Sequence, residues 1–154
     1  ASAQVKSCLL LAALASKNNI TIFEPKITRD HTERMIDYFG GDINFGQKEN
    51  IGKVEFKSKN LFSKSSYRVP GDFSSAAFII VASLISCQSE VLIKNVGLNK
   101  TRCGLIEILK LMGANINIQN QKTKFNEPVG DILVKSSMVC FKLSPCGTVS
   151  TAMP

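Results

Sequence analysis

The sequence predicts an α/β (α+β) fold in which one unit, helix–strand–helix–strand–strand, occurs twice. Three observations predict it. The chain has 154 residues, 44% apolar and 20% charged, which suffices for one ordinary core and is too apolar for a disordered segment. Apolar residues recur at helical spacing in some stretches and alternate in others. The order of those stretches repeats after about 72 residues, the mark of an internal duplication.

In the first copy, Ser2-Ala3-Gln4-Val5-Lys6-Ser7 leads into the apolar run 8–15. Its Leu and Ala content predicts a largely buried helix, which Asn18-Asn19 ends. The β-branched and aromatic Ile20-Thr21-Ile22-Phe23 predicts a short strand. Asp30-His31-Thr32-Glu33 has the spacing of a capping box and opens a helix expected to turn Met35, Ile36 and Phe39 inward. Gly40-Gly41 stops that helix, and strands follow near 43–45 and 54–56. In the second copy, Asp72 is the expected N-cap of a helix over 74–85, and a strand covers 91–94. Thr101 is expected to cap a helix whose Leu105, Ile106, Ile108, Leu109 and Met112 share a face. Gly113 ends it as Gly40 ends its counterpart. Strands over 115–118 and 131–135 place Ile116, Ile118, Ile132 and Val134 on one side. Residues 50–67 are expected to join the copies loosely. The first helix of each copy is apolar nearly all round, so cover on several sides is expected, with helices inward and sheets outward.

Composition removes several classes of function. The longest apolar runs, 8–15 and 76–85, fall short of the roughly 20 residues a bilayer requires. The chain opens Ala-Ser-Ala-Gln without Met, basic region or cleavage site, so no signal peptide is expected and the chain reads as a piece of something longer. Five cysteines without a CxxC pair, and one His, fit reduced cytoplasmic thiols better than a disulfide scaffold or a zinc site. Net charge is +7, with 15 Lys and 4 Arg. That excess attracts anions in general, but its scatter along the chain does not favour nucleic acid.

Two places could hold an anion. Ser2, Ala3 and Gln4 stand at the amino end of a helix, where free amides and the dipole suit phosphate or carboxylate; spacing alone favours Ser2 as a plain helix cap. Arg29 lies between a strand and a helix, where a loop can present its guanidinium fork to an anion; an exposed pairing with Asp30 or Glu33 is the alternative. His31 reads as a helix-entry surface residue and Arg102, which mirrors Arg29, as a structural pairing; Asp72-Phe73-Ser74-Ser75 could meet a ligand through its helix amides, with capping by Asp72 alone at least as good a reading. No Ser-His-Asp set, GxGxxG, P-loop, HExxH or EF-hand occurs.

Longer motifs are more specific. Ser2-Ala3-Gln4-Val5-Lys6-Ser7, Glu24-Pro25, Thr28-Arg29-Asp30-His31-Thr32-Glu33 and Val69-Pro70-Gly71-Asp72-Phe73-Ser74-Ser75-Ala76-Ala77-Phe78 closely resemble the 5-enolpyruvylshikimate-3-phosphate synthases, in their bacterial SAQ/TRDHTE form. Asn95 to Arg102, Met112-Gly113-Ala114 and Asp131 to Ser137 continue the resemblance, in the family's order. The UDP-N-acetylglucosamine enolpyruvyl transferases are a more distant alternative, and a non-catalytic remnant of a synthase gene is another.

The resemblance implies an enolpyruvyl transferase-like, inside-out α/β barrel. This chain would supply two of its repeats, about 1–57 and 69–137, joined by about 58–68. It implies a transferase (3-phosphoshikimate 1-carboxyvinyltransferase) of chorismate and aromatic amino acid biosynthesis. Such an enzyme moves the enolpyruvyl group of phosphoenolpyruvate to the 5-hydroxyl of shikimate 3-phosphate and is cytoplasmic, usually monomeric and free of cofactor or metal. Carried over residue by residue, Ser2, Ala3, Gln4 and Arg29 hold shikimate 3-phosphate, with Gln4 reaching the phosphoenolpyruvate side. No catalytic residue is expected in this segment. The family's remaining phosphate clamps and acid–base groups are expected before Ala1 and beyond the end, and residues 138–154 depart from the pattern, as a frameshifted or degraded gene end would.

Overall fold

The computed structural model describes residues 1–48, 51–58 and 66–137, so the tail expected over 138–154 lies outside the described residues. The chain divides into two compact units, which meet in sequence at Arg68 and Val69. The first holds α1 (Ala3–Ser16), β1 (Ile20–Glu24), α2 (His31–Tyr38), β2 (Asp42–Lys48) and β3 (Ile51–Lys57). The second holds α3 (Phe73–Ile85), β4 (Glu90–Gly97), α4 (Gly104–Leu111), β5 (Asn115–Lys124) and β6 (Glu127–Lys135). Both follow the order helix, strand, helix, strand, strand.

Each unit folds its strands into an antiparallel sheet whose last strand lies in the middle, in the orders β1-β3-β2 and β4-β6-β5. In β3, Val54 and Phe56 alternate with Lys53, Glu55 and Lys57, so one side of the strand is apolar. With Leu10 and Ala13 of α1 and Ile36 of α2, they form the first core. Of the stretch 50–67 expected to link the copies loosely, Ile51–Lys57 is instead β3, the central strand, which includes the strand expected near 54–56; residues 59–65 lie outside the described set. The second core joins Ala76, Ile80 and Leu84 of α3 to Ile106 and Leu109 of α4 and to Ile116, Ile132 and Val134 of the sheet. Register pairs Ile116 with Val134 and Ile118 with Ile132, which places the four expected residues on one face.

Helix stops follow the local sequence. Gly40, at φ +85°, lets its own amide reach the Asp37 carbonyl and the Gly41 amide reach the Ile36 carbonyl, both at 2.9 Å. Gly113, at φ +91°, allows the same pair of bonds, from Gly113 to Lys110 and from Ala114 to Leu109.

Helix starts follow it less well. Asp72 caps α3, accepting from the Ser75 amide at 2.9 Å. The capping box expected at 30–33 does not form: Asp30 holds the Arg34 guanidinium at 2.8 Å, and Glu33 turns inward. Thr101 does not cap α4 either. Its amide and hydroxyl donate to Asn99 Oδ1 at 3.0 and 2.7 Å, and α4 begins only at Gly104. Within α2, only Ile36 of the three expected apolar residues enters the core. Met35 is 38% exposed, and Phe39 leaves the helix to meet Tyr38 and Tyr67 edge-on or tilted. The cover expected on several sides of the first helices is not complete, since Phe78 is 80% and Ile85 76% exposed.

Candidate functional site

The amino end of α1 is built by Ser2. Its extended backbone lets its Oγ accept from the Val5 amide at 3.4 Å, while its carbonyl accepts from the Lys6 amide at 3.1 Å. The Ala3 and Gln4 amides have no partner inside the helix, as first-turn amides never do. No acidic residue stands in this turn, so the positive end of the dipole is left uncompensated. Ser2 and Gln4 are exposed and Ala3 is half-buried. Capping by Ser2 is thus observed, through an oxygen that still has its own proton to donate.

One turn further, Lys6 points inward and is 3% exposed. Its Nζ lies 2.9 Å from Glu24 Oε1 and 3.1 Å from Oε2, and 2.6 Å from Glu33 Oε1. The Glu33 contact is an ion pair without hydrogen-bond direction, and that carboxylate, 1% exposed, has no directed hydrogen bond among the described residues. Burial pushes Glu33 above the usual 4.5, and Lys6 offsets only part of the shift. Glu24 goes the other way. Burial would raise it too, but hydrogen bonds from the Thr28 hydroxyl and from Lys6 outweigh that and hold it below 4.5.

The segment between these carboxylates carries Arg29. Thr28 donates its hydroxyl to Glu24 at 2.6 Å, Asp30 is held by Arg34, and the Ser7 and Thr32 hydroxyls share a hydrogen bond of 2.7 Å. The two carboxylates that could have taken up Arg29 are therefore engaged elsewhere, Glu33 by Lys6 and Asp30 by Arg34. Arg29 itself is exposed and makes no ion pair among the described residues. Ser2, Ala3, Gln4 and Arg29 thus stand on elements tied together by Lys6 and Ser7. Lys6, Glu24, Ser7, Thr28 and Thr32 carry roles that were not read from the sequence. The one signal available was a lysine one turn into an otherwise apolar helix.

The other candidates are accounted for without a ligand. Arg102 pairs with Asp72 at 3.1 Å and reaches the Ser74 hydroxyl. The Ser75 amide chiefly holds the Asp72 carboxyl below its ordinary range. His31 opens α2, half-buried. Among the described residues no cluster of His, Cys, Asp or Glu is arranged to hold a metal ion, and no helix is long and apolar enough to cross a membrane.

Comparison with known proteins identifies the family of the chain. The family model described as EPSP synthase (3-phosphoshikimate 1-carboxyvinyltransferase) matches residues 1–145. The 3-phosphoshikimate 1-carboxyvinyltransferase of Petrotoga mobilis is 56% identical over 137 residues, covering 89% of this chain and 31% of its own length. That of Carboxydothermus hydrogenoformans is 51% identical, with the same coverage. Among solved structures, EPSP synthase from Acinetobacter baumannii superposes with a TM-score of 0.78 at 42% identity, over 89% of this chain and 30% of that one. The chain thus spans about a third of the length of its curated relatives.

Proposed function

The chain belongs to the EPSP synthase family, and from that premise we propose that residues 1–137 form part of a substrate-binding domain for shikimate 3-phosphate. In the whole protein, the 5-hydroxyl of that substrate gives up its proton as its oxygen attacks C2 of phosphoenolpyruvate, C3 takes up a proton, and the tetrahedral ketal then loses phosphate from C2 and a proton from C3 to restore the double bond. The part of this chain in that chemistry is to bind. Ser2, with the Ala3 and Gln4 amides, offers donors at a helix end, and Arg29 offers a guanidinium fork to the phosphate. Gln4 also faces the phosphoenolpyruvate side. A cytoplasmic, monomeric protein without cofactor goes with this reading.

What supports the reading is the exposed guanidinium of Arg29, which makes no ion pair among the described residues, on a segment whose two flanking carboxylates, Glu24 and Glu33, are both tied to α1 through Lys6, while Asp30 is held by Arg34. Calorimetric titration of shikimate 3-phosphate into the 154-residue chain and into Arg29→Ala tests it. The variant is expected to bind at least about tenfold more weakly, the loss of one charge-assisted fork. Equal heats would overturn the assignment.

A further inference from the structure

We propose that Lys6 is a positioning residue for this anion site: it closes a buried clamp on Glu24 and Glu33 and so fixes the Arg29 loop against the helix end that carries Ser2, Ala3 and Gln4. The inference rests on the reading of that site as the shikimate 3-phosphate site.

The geometry points to positioning rather than packing. A core-facing place on an apolar helix would ordinarily hold Leu, and a buried ammonium carries a desolvation cost that a Leu would not. Here the ammonium stands one turn from the N-cap, with its backbone amide on the Ser2 carbonyl at 3.1 Å. Its two partners are the two ends of one segment. Glu24 is the last residue of β1, and Glu33 lies in the first turn of α2. A single cation thus gathers the start of α1, the end of β1 and the start of α2, and the loop bearing Arg29 spans its two anions. Within that loop the residues flanking Arg29 are fastened in turn, Thr28 to Glu24 and Asp30 to Arg34, and the Ser7–Thr32 bond adds a second tie to α1. The backbone of Arg29 is held on both sides while its side chain stays available. Lys6 is buried, so its effect on a ligand runs through Arg29 rather than through contact.

A double-mutant cycle on the 154-residue chain, with shikimate 3-phosphate as the calorimetric probe, tests this. Lys6→Met alone leaves two buried carboxylates without a cation and can fail to fold. The pair Lys6→Met/Glu33→Met removes the ammonium with one counter-charge and is used instead, with thermal melting to establish folding. The pair is expected to weaken binding about tenfold when Arg29 is present and by less than about twofold in the Arg29→Ala background. A folded pair variant that binds like the parent overturns the clamp. So does an equal loss in both backgrounds, which is what a merely structural role would give. If Arg29→Ala binds as well as the parent, or the parent binds nothing, the shikimate 3-phosphate reading itself fails, a result distinct from failure of the clamp alone.

Discussion

Two carboxylates share the ammonium of Lys6, yet their proton affinities move in opposite directions, and stability should record both. Glu24 is lowered, so its contribution is present above pH 4.5 and is lost as pH falls through its depressed value. Glu33 is raised, so the folded chain favours its protonated form; that contribution is complete below 4.5 and fades as pH rises through the elevated value. Glu33→Gln keeps the shape and removes the titration. Its melting temperature relative to the parent is expected to rise from pH 4.5 towards neutrality, because only the parent loses stability in that window while Glu24 is common to both. A difference that stays constant across that range, measured by circular dichroism, would show that the buried carboxylate is not under strain.

Among the elements, helix ends separate what a sequence states locally from what it leaves to distant partners. The stop at Gly40-Gly41 is readable because both residues act through their own backbone, and the two glycines do so differently. A Cβ on Gly40 would meet nothing within 4 Å but would sit at φ +85°, so Gly40→Ala should cost about 1 kcal/mol of backbone strain. A Cβ on Gly41 would collide with Ile36 Cγ2 and lie 2.9 Å from the Ile36 carbonyl, so Gly41→Ala should cost more, about 2–3 kcal/mol. Urea unfolding of the two variants checks the order; equal costs would mean that Ile36 yields freely. Helix starts were less readable, because an Asp or Glu at a capping position chooses between a nearby amide and any cation the fold brings. Asp30 takes Arg34 and Glu33 takes Lys6, and the capping box is lost. Strand lengths were underestimated for a related reason. Pairing carries β5 and β6 through polar Thr123 and Lys124 opposite Pro128 and Glu127, where composition alone gives no strand signal.

For the whole molecule, duplication and motif order revealed the fold and pointed to the exposed residues proposed to bind the ligand, since repeats and helix ends are written in contiguous sequence. The inner support was hidden, because Lys6 meets a carboxylate 18 positions away, and spacing carries no information at that range. Scale also decides what the chain can do by itself. Enolpyruvyl transfer joins two anionic substrates through a tetrahedral ketal, so charge must be stabilised on both reactants at once. The chain covers 31% of the length of its curated relatives. By resemblance, the groups that move protons and the rest of the phosphate clamps lie outside its residues. On that reading, each donor of that kind supplied from outside these residues is worth about 10²–10³ in rate. Phosphate release from shikimate 3-phosphate and phosphoenolpyruvate, followed continuously with the 154-residue chain, is therefore expected to match the buffer control even where calorimetry detects binding. Turnover at the rate of a full-length synthase would mean that the reacting atoms are served by residues of this chain, and the division between a binding segment and an acid–base segment would have to be abandoned.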